Sequence, residues 1–397
     1  MTSYFAVIWL MYVMNSVIAW YSFSLVFLLM GALGVILCSL VKKKHVLTNG
    51  RQKMLLLVFL YMVWEIVNHA SARVLFSAFF TFVPLLFILL WPIEELKKTY
   101  EVFRKVVVFF AIGSSIIVIL YYLGQLSMIP HYEMPPTTST LHSNRGDIYE
   151  IYIIFPQLVV PNDLTRRACG MTLEGGHFSI VLGFIYLIDR YLQKRINPII
   201  IICAVLTFSP AFFLVVFFVE IVNIRKDFKK KFLYLSLSCF IVSFIYLVLP
   251  SDIKDLIYHM TYEKNVEGMI VSNKTGSLDD ALDERANQAG KKVYDNLDFG
   301  QKLFGGEFDK DMVLSDYRGF IVNKGLISLL LVILISFYSL SGAPWPLKVS
   351  LFLTMLMIML HRAWFFYEPF PYLMSFIVSS CYIHGYSNNL KRNIIVI

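Results

Sequence analysis

Long apolar runs alternate with short polar links along nearly the whole chain. Runs suited to membrane helices cover residues 4–20, 23–40, 54–69, 74–91, 105–124, 173–189, 197–222, 232–249, 323–340, 349–361 and 371–386. Two long connections, 125–172 and 250–322, interrupt them, and segments of that length are expected to fold over one face. The pattern predicts an all-α polytopic membrane protein of about 11–12 transmembrane segments with two large outer loops. Its parts are a bundle of five helices over 1–124, the first outer loop 125–172, central helices over 173–249, a partly helical second outer loop 250–322 and C-terminal helices over 323–397. The start lacks the basic residues and cleavage site of a signal peptide, so the first helix is expected to be retained.

Basic residues orient these runs, because Lys and Arg concentrate on the inner side of membrane proteins. Lys42, Lys43, Lys44, Arg51 and Lys53 follow the second run, and Lys97, Lys98, Arg104 and Lys105 follow the fourth. Both links read as inner, which places the N-terminus inside. The seventh run breaks the alternation, since Arg225, Lys226, Lys229, Lys230 and Lys231 follow it on what a single crossing would make the outer side. Ser209-Pro210 sits near its centre, where proline removes a backbone donor and clashes with the preceding turn. The run therefore reads as two half-length helices, 197–207 and 210–222, that enter and leave on the inner side; a single tilted helix that departs from the charge rule is the other reading. Irregular backbone at membrane depth is tolerated only where protein or a wet cavity surrounds it. With that change every later link obeys the rule and Lys391 and Arg392 end inside.

Composition agrees and then narrows the function. Of 397 residues 58% are hydrophobic and 16% charged, far from an ordinary soluble domain, and the mean hydropathy is +0.67. The net charge of +8 would suit a nucleic-acid surface, but more than half of the basic residues fall on inner links and the loop 250–322 is net acidic. The surplus is orientation, and no nucleic-acid partner is implied. Cys38, Cys169, Cys203, Cys239 and Cys381 show neither metal-ligand nor disulfide spacing.

Ionisable residues gather on the outer side. Arg166, Arg167, Glu174 and His177 stand where the first loop meets the sixth run, in TRRACGMTLEGGHF, among glycines that let backbone approach a ligand. Two guanidiniums before a carboxylate suit an anionic substrate that also gives up a proton; an arginine pair that only sets topology also accounts for the segment. Arg285 in the second loop is suited to bidentate phosphate recognition or to pairing with Asp279, Asp280 or Asp283. Asp316, Tyr317 and Arg318 precede the ninth run. His361, Arg362, Trp364, Tyr367 and Glu368 end the tenth, where an interfacial aromatic belt is also expected, and Glu65, His69 and Arg73 lie in the link after the third. One outer-facing site fits transfer from a lipid diphosphate, with arginines holding the leaving group and a carboxylate as base. Neither a Walker A motif nor a metal-binding DxD pair in a suitable setting is present, so no cofactor or metal is implied.

These residues resemble the Wzy-type O-antigen and capsule polymerases, relatives of the O-antigen ligases. Arg167-Ala-Cys-Gly170-Met-Thr-Leu-Glu174-Gly-Gly176 is similar to the family's R-x-x-G-x-x-x-E-P-G, with Gly175 in place of proline. LTFSPAFF around Ser209 is similar to the L-x-x-S-R-G segment between two short helices. Arg285, then Tyr294 and LFGG at 303–306, looks like the second-loop arginine followed by an aromatic and a Gly-rich turn. Ser315-Asp316 followed by Gly325-Leu-Ile resembles the segment before the next helix, where ligases carry His-Asn. The resemblance implies a GT-C-like, metal-independent glycosyltransferase of the bacterial inner membrane that acts on polyprenyl-diphosphate-linked oligosaccharide, donor and acceptor, on the periplasmic face. A chain-length regulator and a flippase are the partners it implies. Arg167 and Arg285 carry over as diphosphate-binding residues, with Arg166, Arg318, His177, Tyr317 and Arg362 as further substrate contacts. Glu174, Asp316 and His361 all stand as the base. Ligation of finished glycan to another acceptor and lipid-linked oligosaccharide transport are the alternatives, and no internal repeat of a transporter is found.

Overall fold

The computed structural model describes residues 1–14, 16–19, 24–42, 45–69, 71–134, 148–159, 166–193, 196–222, 293–306, 317–362, 365–366 and 368–394. Helices dominate them. The first bundle contains α1 (Thr2–Val13), α2 (Ser24–Val41), α3 (Asn49–Asn68), α4 (Ala72–Leu89) and α5 (Ile93–Tyr122). After it come α6 (Gly175–Ile188), α7 (Pro198–Leu206), α8 (Pro210–Val222), the short α9 (Phe299–Phe304), α10 (Tyr317–Ser339), α11 (Trp345–Arg362) and α12 (Phe370–Ile394). The run at 232–249, and with it most of the second outer loop, lies outside the described residues. By length and composition α5 and α10 are the two helices long and apolar enough to cross a membrane among those described, and the other apolar helices are shorter.

The exposed side chains are apolar too. On α5 Phe109, Ile112, Ile116 and Ile119 are exposed at helical spacing, and on α10 Leu330, Ile333 and Phe337 are. Helices of this kind are apolar toward the core and toward the surroundings, which is compatible with an all-helical membrane bundle.

Several boundaries depart from the apolar runs for a visible reason. The helix α5 starts at Ile93, well before the run at 105, because its first turns are amphipathic, with Glu94, Glu95, Lys97 and Lys98 among buried Leu96, Thr99 and Tyr100. α1 stops at Val13, short of 20, and Val17 N–H then donates to the Met171 carbonyl at 2.9 Å while Ser16 bridges Thr172. The all-helical expectation also needs an addition. The first outer loop carries a three-stranded antiparallel sheet, β1 (His131–Met134), β2 (Ile148–Tyr152) and β3 (Phe155–Val159), in the order β1-β2-β3. Period-two burial of Tyr149 and Ile151 explains β2, and the Phe155 ring sits 5.4 Å from Phe109 and 5.8 Å from Phe110 on α5.

At the centre is α6, in which every residue from Gly175 to Ile188 is buried. A helix apolar on all sides has to be enclosed, and α7 and α8 pack against it, with α5 behind α7 and α11 behind α8. The seventh apolar run is indeed broken. Asn197 caps α7, its side chain accepting from Ile199 N–H at 3.1 Å, and α8 restarts at Pro210. Between them Phe208 has φ of 47°, a left-handed conformation that costs a non-glycine residue about 1–2 kcal/mol.

At the end of the bundle away from the sheet, buried polar ties fix the helices. Asp189, at the foot of α6, accepts from Tyr100 OH at 2.8 Å and from Arg104 Nε and Nη2 at 2.8 Å, which joins α6 to α5. Arg51 Nη1 donates to the carbonyls of Val46, Leu89 and Trp91 and so closes the end of α4. Asp189 is almost fully buried, so its replacement by Ala leaves Tyr100 and Arg104 without their acceptor. Asp189→Ala is expected to lower unfolding stability by about 3 kcal/mol, read as a lower melting temperature in detergent; an unchanged melt would contradict this role.

Candidate active site

The sheet end of the bundle gathers the residues of interest. α3 and α5 both finish there, since the links between α3, α4 and α5 are short and the three helices alternate in direction. α6 begins there, beneath the loop 166–174. Backbone contacts fix that loop. Gly170 has φ of 60° and its N–H donates to Ser114 Oγ on α5 at 3.1 Å, the same hydroxyl that accepts from Gln157 Nε2 of β3. The Thr172 hydroxyl reaches the carbonyls of Cys169 and Glu174, each at 2.9 Å, and Tyr149 OH donates to the Leu173 carbonyl at 3.0 Å.

The loop also plugs the break between α7 and α8. Ala168 N–H donates to the Leu206 carbonyl at 2.8 Å, a group that the helix end leaves open. A Cβ at Gly175 would lie 2.9 Å from the Thr207 carbonyl oxygen and 3.2 Å from Arg167 Cβ. Proline suits the first turn of a helix, but its Cβ has no room here, which accounts for glycine at this position. From the other side, Ser179 Oγ of α6 accepts from Phe212 N–H at 2.8 Å and Ser209 Oγ from Ala211 N–H at 3.4 Å, so the start of α8 is satisfied as well.

Four predicted residues meet at this point. Arg166 is committed: Nη2 lies 3.2 Å from Glu150 Oε1 on β2, and the guanidinium stands 5.2 Å over the Tyr121 ring. Arg167 is half-buried and makes no ion pair among the described residues. Glu174 takes the cap position of α6 with extended backbone, its side chain not capping the helix, and its Oε2 lies 3.7 Å from His177 Nε2. An arginine, a helix N-terminus and a carboxylate–imidazole pair at one spot suit an anion on one side and a proton donor on the other. Burial pushes the Cys169 thiol up to about 11, so it is not a nucleophile here. Burial and the Glu150 charge likewise raise the Tyr152 phenol, whose hydroxyl donates to Glu150 Oε2 at 2.6 Å.

A second polar group lies at the same end. Lys324 of α10 pairs with Glu65 of α3, and Ser328 Oγ donates to Glu65 Oε1 at 3.2 Å. α10 is kinked at Gly325, with φ of 80°, and the turn after α9 nests into the kink. There Gly306 N–H donates to the Val322 carbonyl at 2.9 Å, and a Cβ on Gly325 would fall 2.4 Å from the Leu303 carbonyl oxygen. The link between α11 and α12 joins the two groups. Phe365 stands edge-on to His177 with centroids 6.1 Å apart, and Glu368 feels the Lys324 charge.

Of the other predicted residues, Tyr317 is exposed and Arg318 buried at the start of α10. Asp316 and Arg285 lie outside the described residues. His361 and Arg362 end α11 at this face, and their side chains lie outside the described residues. Sequence reasoning missed Ser114, Glu150 and Lys324, and it named Glu368 among the ionisable residues of the outer face without giving it a role. Lys324 carried a signal, a charge at the threshold of an apolar run. His131, Glu133 and Glu150 offer ligand atoms within 4.8 Å of one another on the sheet, where Arg166 already supplies a positive charge to Glu150. No protein-family model, curated protein or solved structure matches the chain.

The close seat of Gly175 is open to test. Gly175→Ala is expected to cost about 1–3 kcal/mol, seen as a lower melting temperature, because neither the Thr207 carbonyl nor the start of α6 has room to retreat. A wild-type melt would show that the loop is not wedged into the break.

Proposed function

We propose that the protein is an integral membrane glycosyltransferase of GT-C-like architecture that polymerises lipid-linked repeat units of a surface polysaccharide, O-antigen or capsule. It sits in the bacterial inner membrane with both termini inside and works on the periplasmic face, where the sheet end of the bundle lies. The growing glycan leaves its polyprenyl diphosphate and joins the non-reducing end of the next repeat unit. Apolar stripes that remain exposed on α5 and α10 support the membrane setting.

One observation carries the reading of the site. Segments singled out separately along the chain come together in pairs: Arg167 to Gly175 against the break at Leu206 and Thr207, and LFGG at 303–306 against Gly325. Both pairs stand at the end where Glu174 and His177 meet. In this reading Arg167 and Arg285 hold the diphosphate as charge develops on the leaving group, the kind of stabilisation that is often the largest catalytic contribution. Arg166 holds the sheet against the loop through Glu150 and so fixes Arg167 beside it. The base takes the proton of the acceptor hydroxyl, and Glu174, Asp316 and His361 are the residues that the sequence offers for it. No metal or cofactor enters the reaction.

Arg167→Ala and Arg285→Ala, each introduced into cells lacking the native gene, are expected to collapse long glycan to single repeat units at unchanged protein level. Normal chain length in both variants would overturn the site assignment. Arg166→Ala is expected to reduce chain length less than Arg167→Ala.

A further inference from the structure

Carboxylates at the sheet end are accounted for one by one. Glu150 is held by Arg166 and the Tyr152 hydroxyl, Glu174 lies beside His177, and Glu65 is held by Lys324 and Ser328. Glu368 differs. It lies in the link between α11 and α12, and its Oε2 is buried with no hydrogen-bond partner among the described residues. A buried oxygen left in that state is costly, and the natural complement of a carboxylate oxygen is a donated O–H or N–H. Its placement is equally specific. Three residues before it, Phe365 stands edge-on to His177 beside Glu174, and Glu368 itself feels the Lys324 charge from α10. The link thus spans both polar groups.

We infer that Glu368 is the proton acceptor for the acceptor-sugar hydroxyl. This rests on the polymerase reading above. The acceptor hydroxyl donates its hydrogen bond to Oε2. As its oxygen bonds to the anomeric carbon of the donor glycan, the bond from that carbon to the diphosphate oxygen breaks and the electron pair leaves with the diphosphate. The proton passes to Glu368 and then to water.

The electrostatics fit such a role. Burial raises the Glu368 carboxyl and the Lys324 charge offsets part of that rise, which leaves it at about 8, close to a working pH where a general base is most effective. The Lys324 charge from α10 acts on it, and Tyr372 of α12, whose hydroxyl donates to the Phe366 carbonyl at 2.6 Å, feels the charges of both Glu368 and Glu65. Glu65 is itself held by Lys324 and Ser328.

The test uses the full chain in lipid nanodiscs with the lipid-diphosphate repeat unit extracted from host cells lacking the native gene. Wild-type elongation is expected to rise with pH and level off above about 8. Glu368→Gln is expected to reduce elongation at least about 100-fold and abolish that pH dependence, while Glu368→Asp retains part of the rate with a shifted pH profile. Independently of activity, infrared titration is expected to show a protonated carboxyl band that disappears above about pH 8 and is absent from Glu368→Gln. Elongation by Glu368→Gln at the wild-type rate and pH profile, with Arg167→Ala inactive, would overturn this inference alone, as would absence of the band in the wild type. Should Glu368→Gln fail to fold, a wild-type pH profile in Glu368→Asp overturns the inference in its place. Absence of elongation in the wild type itself would overturn the polymerase reading instead.

Discussion

A helix broken in its middle must find partners for the backbone groups it frees, and here one loop and one helix provide them. The 166–174 segment supplies Ala168 N–H to the Leu206 carbonyl, and α6 supplies Ser179 to the first turn of α8. The left-handed Phe208 is held between these two satisfied ends. Because α6 is buried on every side, its N-terminus cannot drift, and the loop wedged above it inherits that rigidity. The positions of Arg167, Glu174 and His177 follow from this joint.

The rest of the sheet end is built around the same joint. Ser114 of α5 accepts from both Gly170 and Gln157, so one hydroxyl ties the loop to the sheet. Glu150 then draws Arg166 onto the sheet, while the adjacent Arg167 makes no ion pair among the described residues. Across the face, a kink at Gly325 receives the turn after α9, and Lys324 is directed to Glu65. At the opposite end the polar groups are ties between helices, as Asp189 with Tyr100 and Arg104 shows. Basic residues such as Arg104 and Arg51 thus clamp the helices at that end.

Much of the helical plan was legible because apolar runs have a length and a charge rule to obey. The break at Ser209-Pro210 was legible twice, from the proline and from the basic cluster after it. Other features left weaker traces. The strands IYEIY and FPQLV are too short to stand out in a loop, and β2 becomes a strand because Tyr149 and Ile151 are buried under it. The start of α5 was hidden by its charges, which mark one face of an amphipathic turn. Gly305 and Gly325 were each read as notable, yet their contact leaves no periodic signal, since it joins two backbones. Glu368 stood among the outer-face ionisable residues, but its aromatic neighbours also suit a membrane belt, and nothing in the spacing shows Phe365 against His177.

The sheet-end groups, the joint beneath them and Arg167 all bear on one claim, that lipid-linked repeat units are joined at this face. Deletion of the gene, with the surface acceptor then scored for the glycan it carries, tests that claim most directly. Acceptors capped with a single repeat unit are the predicted result, since ligation continues without polymerisation. Bare acceptors would contradict it and identify the protein with ligation or export instead.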